Sequence, residues 1–254
     1  MTVPAFLDPP ELVAQRFTRH RHMSSNREIM RYRLFVPQPV IERAKSRTRE
    51  GGTYPLVLFL HGAAARGTDN DAQLTQHGST VWAQPVHQGR FPCYVLAPQC
   101  APNGKWVDVD WARGPCVRPD AGSHMNQVME LLNELIPALA VDRTRVYACG
   151  QSMGAFGVWD LVSRMPATFA AAAALAGGGD PATAYAIKPV AMWAAHGDSD
   201  PVVPVEGSRA MINALRMAGA APRYKEYPGR GHDIWEDEWY DPALTDWMFS
   251  HRKM

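Results

Sequence analysis

Gly150-Gln151-Ser152-Met153-Gly154 is the stretch that decides how this chain is read. Before it runs Thr144-Arg145-Val146-Tyr147-Ala148-Cys149, a short β-rich segment. After it runs Ala155-Phe156-Gly157-Val158-Trp159-Asp160-Leu161-Val162, whose apolar residues have helical spacing. A serine between strand and helix sits on a sharp turn. Its neighbours must be small, or their side chains would collide with strand and helix; glycine on each side, two residues away, meets that need. The turn lifts the hydroxyl clear of the backbone at the start of the next helix. Free N–H groups and the helix dipole stabilise developing negative charge there. Ser152 is the candidate nucleophile.

A serine hydroxyl is a poor nucleophile at neutral pH; it needs a base, and the base needs an orienting acid. Downstream, the apolar run Val190–His196 reads as a buried strand and ends in the loop Gly197-Asp198-Ser199-Asp200-Pro201. Arg223–Tyr227 reads as a further strand and ends in Pro228-Gly229-Arg230-Gly231-His232-Asp233. An acid and a histidine thus each follow the C-terminal end of a successive strand. In an open parallel sheet those ends share one edge, where ligand sites form. The residues alone leave Asp198, Asp200, Asp180 and Asp233 as competing acids.

With these segments in view, the chain resembles an α/β-hydrolase. It is similar to the broad esterase group that includes prolyl-oligopeptidase-like, dienelactone-hydrolase-like and polyhydroxybutyrate-depolymerase-like enzymes. The matching segments are Leu58–Gly62, Ala97–Cys100, Gly150–Gly154, His196–Pro204 and Gly231-His232, spanning about residues 55 to 235. The resemblance implies the order nucleophile, acid, base, hence Ser152, Asp200 just before Val202-Val203-Pro204, and His232. It also implies an oxyanion hole from two backbone N–H groups, those of Ala63 and Met153. Many relatives carry a further glycine after the elbow where this chain has Ala155, a mild change in helix packing. The activity implied is carboxylic ester hydrolysis through an acyl-enzyme. A serine peptidase or amidase of the same fold, or a non-catalytic binding member, are the alternatives. No cofactor and no metal is implied.

Composition supports one domain over residues 1–254: hydrophobic residues make up 46% and charged residues 20%, ordinary for a soluble globular chain. The net charge of +1 makes no electrostatic case for nucleic acid or an anionic membrane. The expected partner is a small-molecule or short-chain ester; the sequence leaves the oligomeric state open. Arg16, Arg19, His20, Arg21 and His22 fit a solvated edge strand. No run approaches the ~18 apolar residues of a membrane span. The N-terminus lacks the basic and apolar regions of a signal peptide, so a cytoplasmic location is expected. Cys93 and Cys149 read as core residues. Cys100 and Cys116 flank one loop and would pair only in an oxidising compartment.

Residues 13–22 and 30–36 read as an antiparallel hairpin at the sheet edge, 37–54 as a loop, and 55–60 and 93–97 as strands covered on both faces. Residues 121–140 carry an amphipathic helix pattern. Residues 169–175 read as a small-residue strand, and 204–218 and 236–250 as helices. The expected fold is α/β: an α/β-hydrolase with a mostly parallel central sheet, helices on both faces, N-terminal antiparallel strands and no large lid domain. His61 and His196, each ending a core strand before glycine, are expected to hydrogen-bond loop backbone. His20, His22 and His251 read as surface residues. The insertion at 99–120, with Trp106 and Trp111, is expected to wall the cleft. Trp111 and Trp235 are the candidate substrate contacts.

Overall fold

The computed structural model describes residues 7–46, 52–117 and 119–253. Among these residues eight strands form one sheet: β1 (Thr18–Met23), β2 (Ile29–Phe35), β3 (Tyr54–Leu60), β4 (Tyr94–Gln99), β5 (Val141–Gln151), β6 (Ala171–Leu175), β7 (Ala191–Gly197) and β8 (Arg223–Tyr227). Their order across the sheet is β1-β2-β4-β3-β5-β6-β7-β8. β1 and β2 form the expected antiparallel hairpin, β2 runs antiparallel to β4, and every later pairing is parallel. All the parallel strands therefore end at one edge.

Continuous apolar runs make the central strands because both faces are covered. Leu56, Leu58 and Leu60 of β3 enter one core; Val57 and Phe59 enter the other. The helices are α1 (Pro10–Ala14), α2 (Gln38–Ser46), α3 (His77–Thr80), α4 (Pro85–Arg90), α5 (Ser123–Ala138), α6 (Met153–Arg164), α7 (Ala184–Ile187), α8 (Glu206–Met217), α9 (Trp235–Trp239) and α10 (Pro242–Ser250). The apolar stripes of α5, α6 and α8 fill the first core, while α1, α9 and α10 supply Val13, Trp239, Leu244 and Met248 to the second. Among the described residues no helix is long and apolar enough to cross a membrane.

Four local expectations change. The first strand begins at Thr18, because Pro10 at a first-turn position starts a short helix that buries Val13. Within 37–54, residues 38–46 are helical rather than loop, residues 47–51 lie outside the described residues, and β3 begins at Tyr54. The expected 236–250 helix is two helices: Asp241 accepts a hydrogen bond from the Ala243 N–H and Pro242 starts α10 afresh. His22 is buried, its Nδ1 2.7 Å from Glu134. The four cysteines are free.

Candidate active site

β5 ends at Gln151 and α6 begins at Met153, so Ser152 alone makes the turn. It does so at φ 54°, ψ −124°, a conformation that costs a non-glycine residue free energy. The surroundings impose it. A Cβ on Gly154 would lie 1.8 Å from the Leu60 carbonyl oxygen, and one on Gly150 would lie 2.6 Å from the Gly154 carbonyl oxygen. No side chain fits at either place, which is the physical content of the glycine spacing. The Ser152 N–H donates to the Leu175 carbonyl at 2.8 Å, tying the turn to β6. Ala155 is accommodated by Gly177: a Cβ on Gly177 would stand 2.5 Å from that of Ala155.

Ser152 Oγ lies 2.7 Å from His232 Nε2, and His232 Nδ1 lies 2.6 Å from Asp200 Oδ2. A carboxylate at Nδ1 holds the hydrogen there and leaves Nε2 bare, facing the hydroxyl. The Asp200 side chain is fully buried, and its Oδ1 accepts the N–H groups of Val202 and Val203 at 2.8 and 2.9 Å. Burial alone would raise its pKa. Hydrogen bonds from His196, His232, Val203 and Val202 outweigh that and hold the carboxyl well below the usual carboxylate range. The competing acids are placed otherwise. Asp198 accepts from Ser199 Oγ and from the Gly229 N–H, which joins the acid loop to the base loop. Asp180 caps a short turn through the Ala182 N–H. Asp233 is exposed.

The base loop is held closely. A Cβ on Gly197 would fall 2.1 Å from the Gly231 carbonyl oxygen, and Gly229 has φ 68°. Beyond the loop, the buried Glu238 of α9 accepts from Trp193 Nε1 at 3.0 Å and from the Tyr227 hydroxyl at 2.6 Å, with Lys225 at 3.1 Å. The Trp235 ring meets the His232 ring edge-on, centroids 5.0 Å apart at 90°.

The loop after β3 lies across the elbow: a Cβ on Gly62 would touch Ser152 Cβ at 3.4 Å. The Gly62 N–H donates to Gln76 Oε1 at 2.7 Å. Among the described residues the N–H groups of Ala63 and Met153 meet no acceptor, so both are free to serve an oxyanion. His61 fixes this loop. Its Nδ1 donates to the Gly62 carbonyl at 2.7 Å, its Nε2 accepts the Cys100 N–H at 3.0 Å, and its carbonyl accepts Trp106 Nε1–H at 2.9 Å. Burial lowers its pKa to about 4.

The insertion at 99–120 differs from a cleft wall in one respect. Trp106 is fully buried beneath the loop after β3, its ring against that of His61. Trp111 is half-buried against the first core, with the Lys105 ammonium 5.3 Å from its ring centroid. The described contacts bring Trp235 to His232 and do not bring Trp111 there. Two features escaped the sequence reading: Gln76 holding Gly62, for which an isolated loop glutamine gives no signal, and the contact of His196 with Asp200. The expected backbone bond of His196, to the Val203 carbonyl at 3.0 Å, is present beside it.

Comparison with known proteins bears on what this arrangement serves. A probable carboxylesterase of Oryza sativa subsp. japonica is 27% identical over 237 residues, covering 86% of this chain and 83% of its own. Carboxylesterase SOBER1 of Arabidopsis thaliana is 28% identical over 193 residues, covering 70% of this chain and 83% of its own. The crystal structure of a thermostable esterase superposes with a TM-score of 0.86 at 34% identity over 95% of this chain, which spans 64% of that protein's length. Residues 42–241, from α2 through the strand ends that carry Ser152, Asp200 and His232, match the phospholipase/carboxylesterase family. With the elbow, the strand order and that match in agreement, the chain belongs to the phospholipase/carboxylesterase family and is a carboxylic ester hydrolase of the α/β-hydrolase fold.

Proposed function

We propose that Ser152, His232 and Asp200 act as a catalytic triad that cleaves small, accessible carboxylic esters through an acyl-enzyme. The observation that carries this reading is the unbroken line from Ser152 Oγ to His232 Nε2 at 2.7 Å and from Nδ1 to Asp200 at 2.6 Å, at a serine on a strained elbow. Ser152 Oγ attacks the ester carbonyl as its proton passes to His232 Nε2. Asp200, ionised throughout, stabilises the imidazolium through Nδ1. The carbonyl oxygen becomes an oxyanion and takes the N–H groups of Ala63 and Met153; losing one such donor typically costs ~3 kcal/mol. The imidazolium returns its proton to the departing alcohol. Water, activated by the same imidazole, then releases the acid. Side chains and backbone supply every proton and charge needed, so the cycle calls for no metal or cofactor.

Trp235 is the aromatic contact favoured for substrate, since its ring borders His232. The test is chemical. A fluorophosphonate should label Ser152 and no other serine, read by peptide mass spectrometry. Ser152→Ala should lower kcat on p-nitrophenyl acetate by ~10⁴ or more, because the triad works as a unit. Near wild-type turnover by that variant overturns the reading. A parallel panel of p-nitrophenyl amides decides between esterase and amidase.

A further inference from the structure

Asp200 Oδ2 carries two imidazoles. His232 Nδ1 lies 2.6 Å away, and His196 Nε2 lies 3.1 Å from the same oxygen. His196 sits near the end of β7 with its side chain fully buried. Its Nε2 also faces the Val203 carbonyl at 3.0 Å. A carboxylate and a carbonyl both accept, so Nε2 carries a hydrogen and donates it. On the other side of the ring, Nδ1 lies 2.8 Å from Ser208 Oγ on α8, and that hydroxyl lies 2.8 Å from the Gly177 carbonyl. A polar chain therefore runs Gly177, Ser208, His196, Asp200, His232, Ser152. It pins the acid loop to the end of β6, to α8 and to β7 at once.

We infer that His196 is a positioning residue for catalysis: it fixes the Asp200 carboxylate and, by sharing Oδ2, limits how strongly Asp200 binds the His232 imidazolium. The inference rests on the triad reading above. An oxygen that already accepts one hydrogen bond offers less negative charge to a second donor. Asp200 takes four donors, two N–H groups on Oδ1 and two imidazoles on Oδ2. Without His196, Oδ2 has one donor left and pulls harder on the His232 proton. The imidazolium is then held too tightly. A base must give its proton back to the leaving group, and an over-stabilised imidazolium returns it slowly. The carboxylate also loses one of the contacts that fix its rotation.

Of the other charged groups around the pair, Asp233 is exposed and three are engaged. Glu226, opposite His196 in the β7–β8 register, is bridged to Arg209 at 2.7 Å. Arg230 pairs with Asp237 at 2.8 Å, and Asp198 holds the Gly229 N–H.

The experiment compares His196→Leu, His196→Gln, Ser208→Ala and Asp200→Asn in the full-length enzyme, with kcat and KM for p-nitrophenyl acetate measured across pH and melting temperature recorded for each. His196→Leu should lower kcat by about tenfold or more with KM within about twofold, and should move the acid limb of kcat/KM to higher pH. His196→Gln keeps an N–H donor at the same depth, and should return both kcat and the limb toward wild type. If the leucine variant does not fold, Ser208→Ala carries the readout, with a smaller displacement of the same sign. An acid limb that stays in place in every folded variant, or a glutamine variant as impaired as the leucine one, overturns the role of His196. Full activity in Asp200→Asn would instead overturn the triad reading itself, so the two failures are distinct.

Discussion

Lowering the pH from 7 toward 4.5 should destabilise this protein before most carboxylates titrate, and His61 is a principal reason. In the folded chain burial lowers its pKa from 6.5 to about 4. Its folded pKa is depressed, so between those values the unfolded chain takes up a proton that the folded chain refuses. Stability from this group is intact above about pH 6.5, falls as pH drops, and levels off below about pH 4. At 1.36 kcal/mol per unit the full loss is about 3 kcal/mol, a large share of a typical domain's stability. His87 and His124, also lowered by burial, add to it with the same sign. The geometry supplies the cause: Nε2 accepts the Cys100 N–H, so a proton there breaks that bond and loosens the loop bearing Ala63. Urea unfolding of wild type and His61→Gln at intervals from pH 7.5 to 4.5 tests this. The variant should be less stable at neutral pH, and the two curves should converge as pH falls, closing by ~2 kcal/mol or more. Parallel curves would refute the assignment.

Asp200→Asn should keep the fold and lose kcat by ~10⁴, whereas Asp198→Asn should cost far less and act mainly on the base loop; activity assays beside circular dichroism separate the two, and a reversed order would move the acid to Asp198. Gly177→Ala should destabilise by ~1–3 kcal/mol through its clash with Ala155, and adding Ala155→Gly should recover part of that loss in thermal melts. Trp235→Ala should raise KM with kcat little changed, and Trp106→Ala should lower stability by ~3–5 kcal/mol because that ring is fully buried under the loop after β3. EDTA should leave the rate unchanged. Acetate to butyrate p-nitrophenyl esters should turn over faster than palmitate, with no jump in rate at the micelle threshold; such a jump would mean that residues 99–120 close over the cleft.

The parts of the architecture legible in the sequence are those where local chemistry and tertiary environment agree. Val57 and Phe59 alternate with Leu58 and Leu60 into two apolar cores, so an unbroken apolar run marks β3. The elbow is legible because backbone packing forbids any Cβ at 150 and 154. Residues 63–90 were not, since that connection is made of turns and helices too short to show a period. α2 was misread as loop because its few apolar residues, Val40, Ile41 and Ala44, are interrupted by the charged Glu42, Arg43 and Lys45. Trp106 and Trp111 illustrate the limit of composition: two tryptophans in one insertion look alike in sequence, yet one lies buried beneath the loop after β3 and the other half-covers the core. The partners of His61 and His196 depend on residues brought in from distant segments, and no local pattern encodes them.

The strand order has a consequence for how activity is acquired. From β5 onward each new parallel strand is laid beside the one before it, so the sheet grows outward in the order in which the chain leaves the ribosome. The elbow serine, whose backbone is strained, directly follows β5, and the proposed proton acceptor, His232, comes after β8 at the far edge. If Ser152 and His232 act as proposed, a nascent chain stopped before residue 232 holds the hydroxyl with no imidazole to deprotonate it. On the proposed triad, newly made protein should therefore be inert toward esters until β8 docks. In refolding, the return of turnover should lag the return of secondary structure, and it serves as a clock for that final docking step.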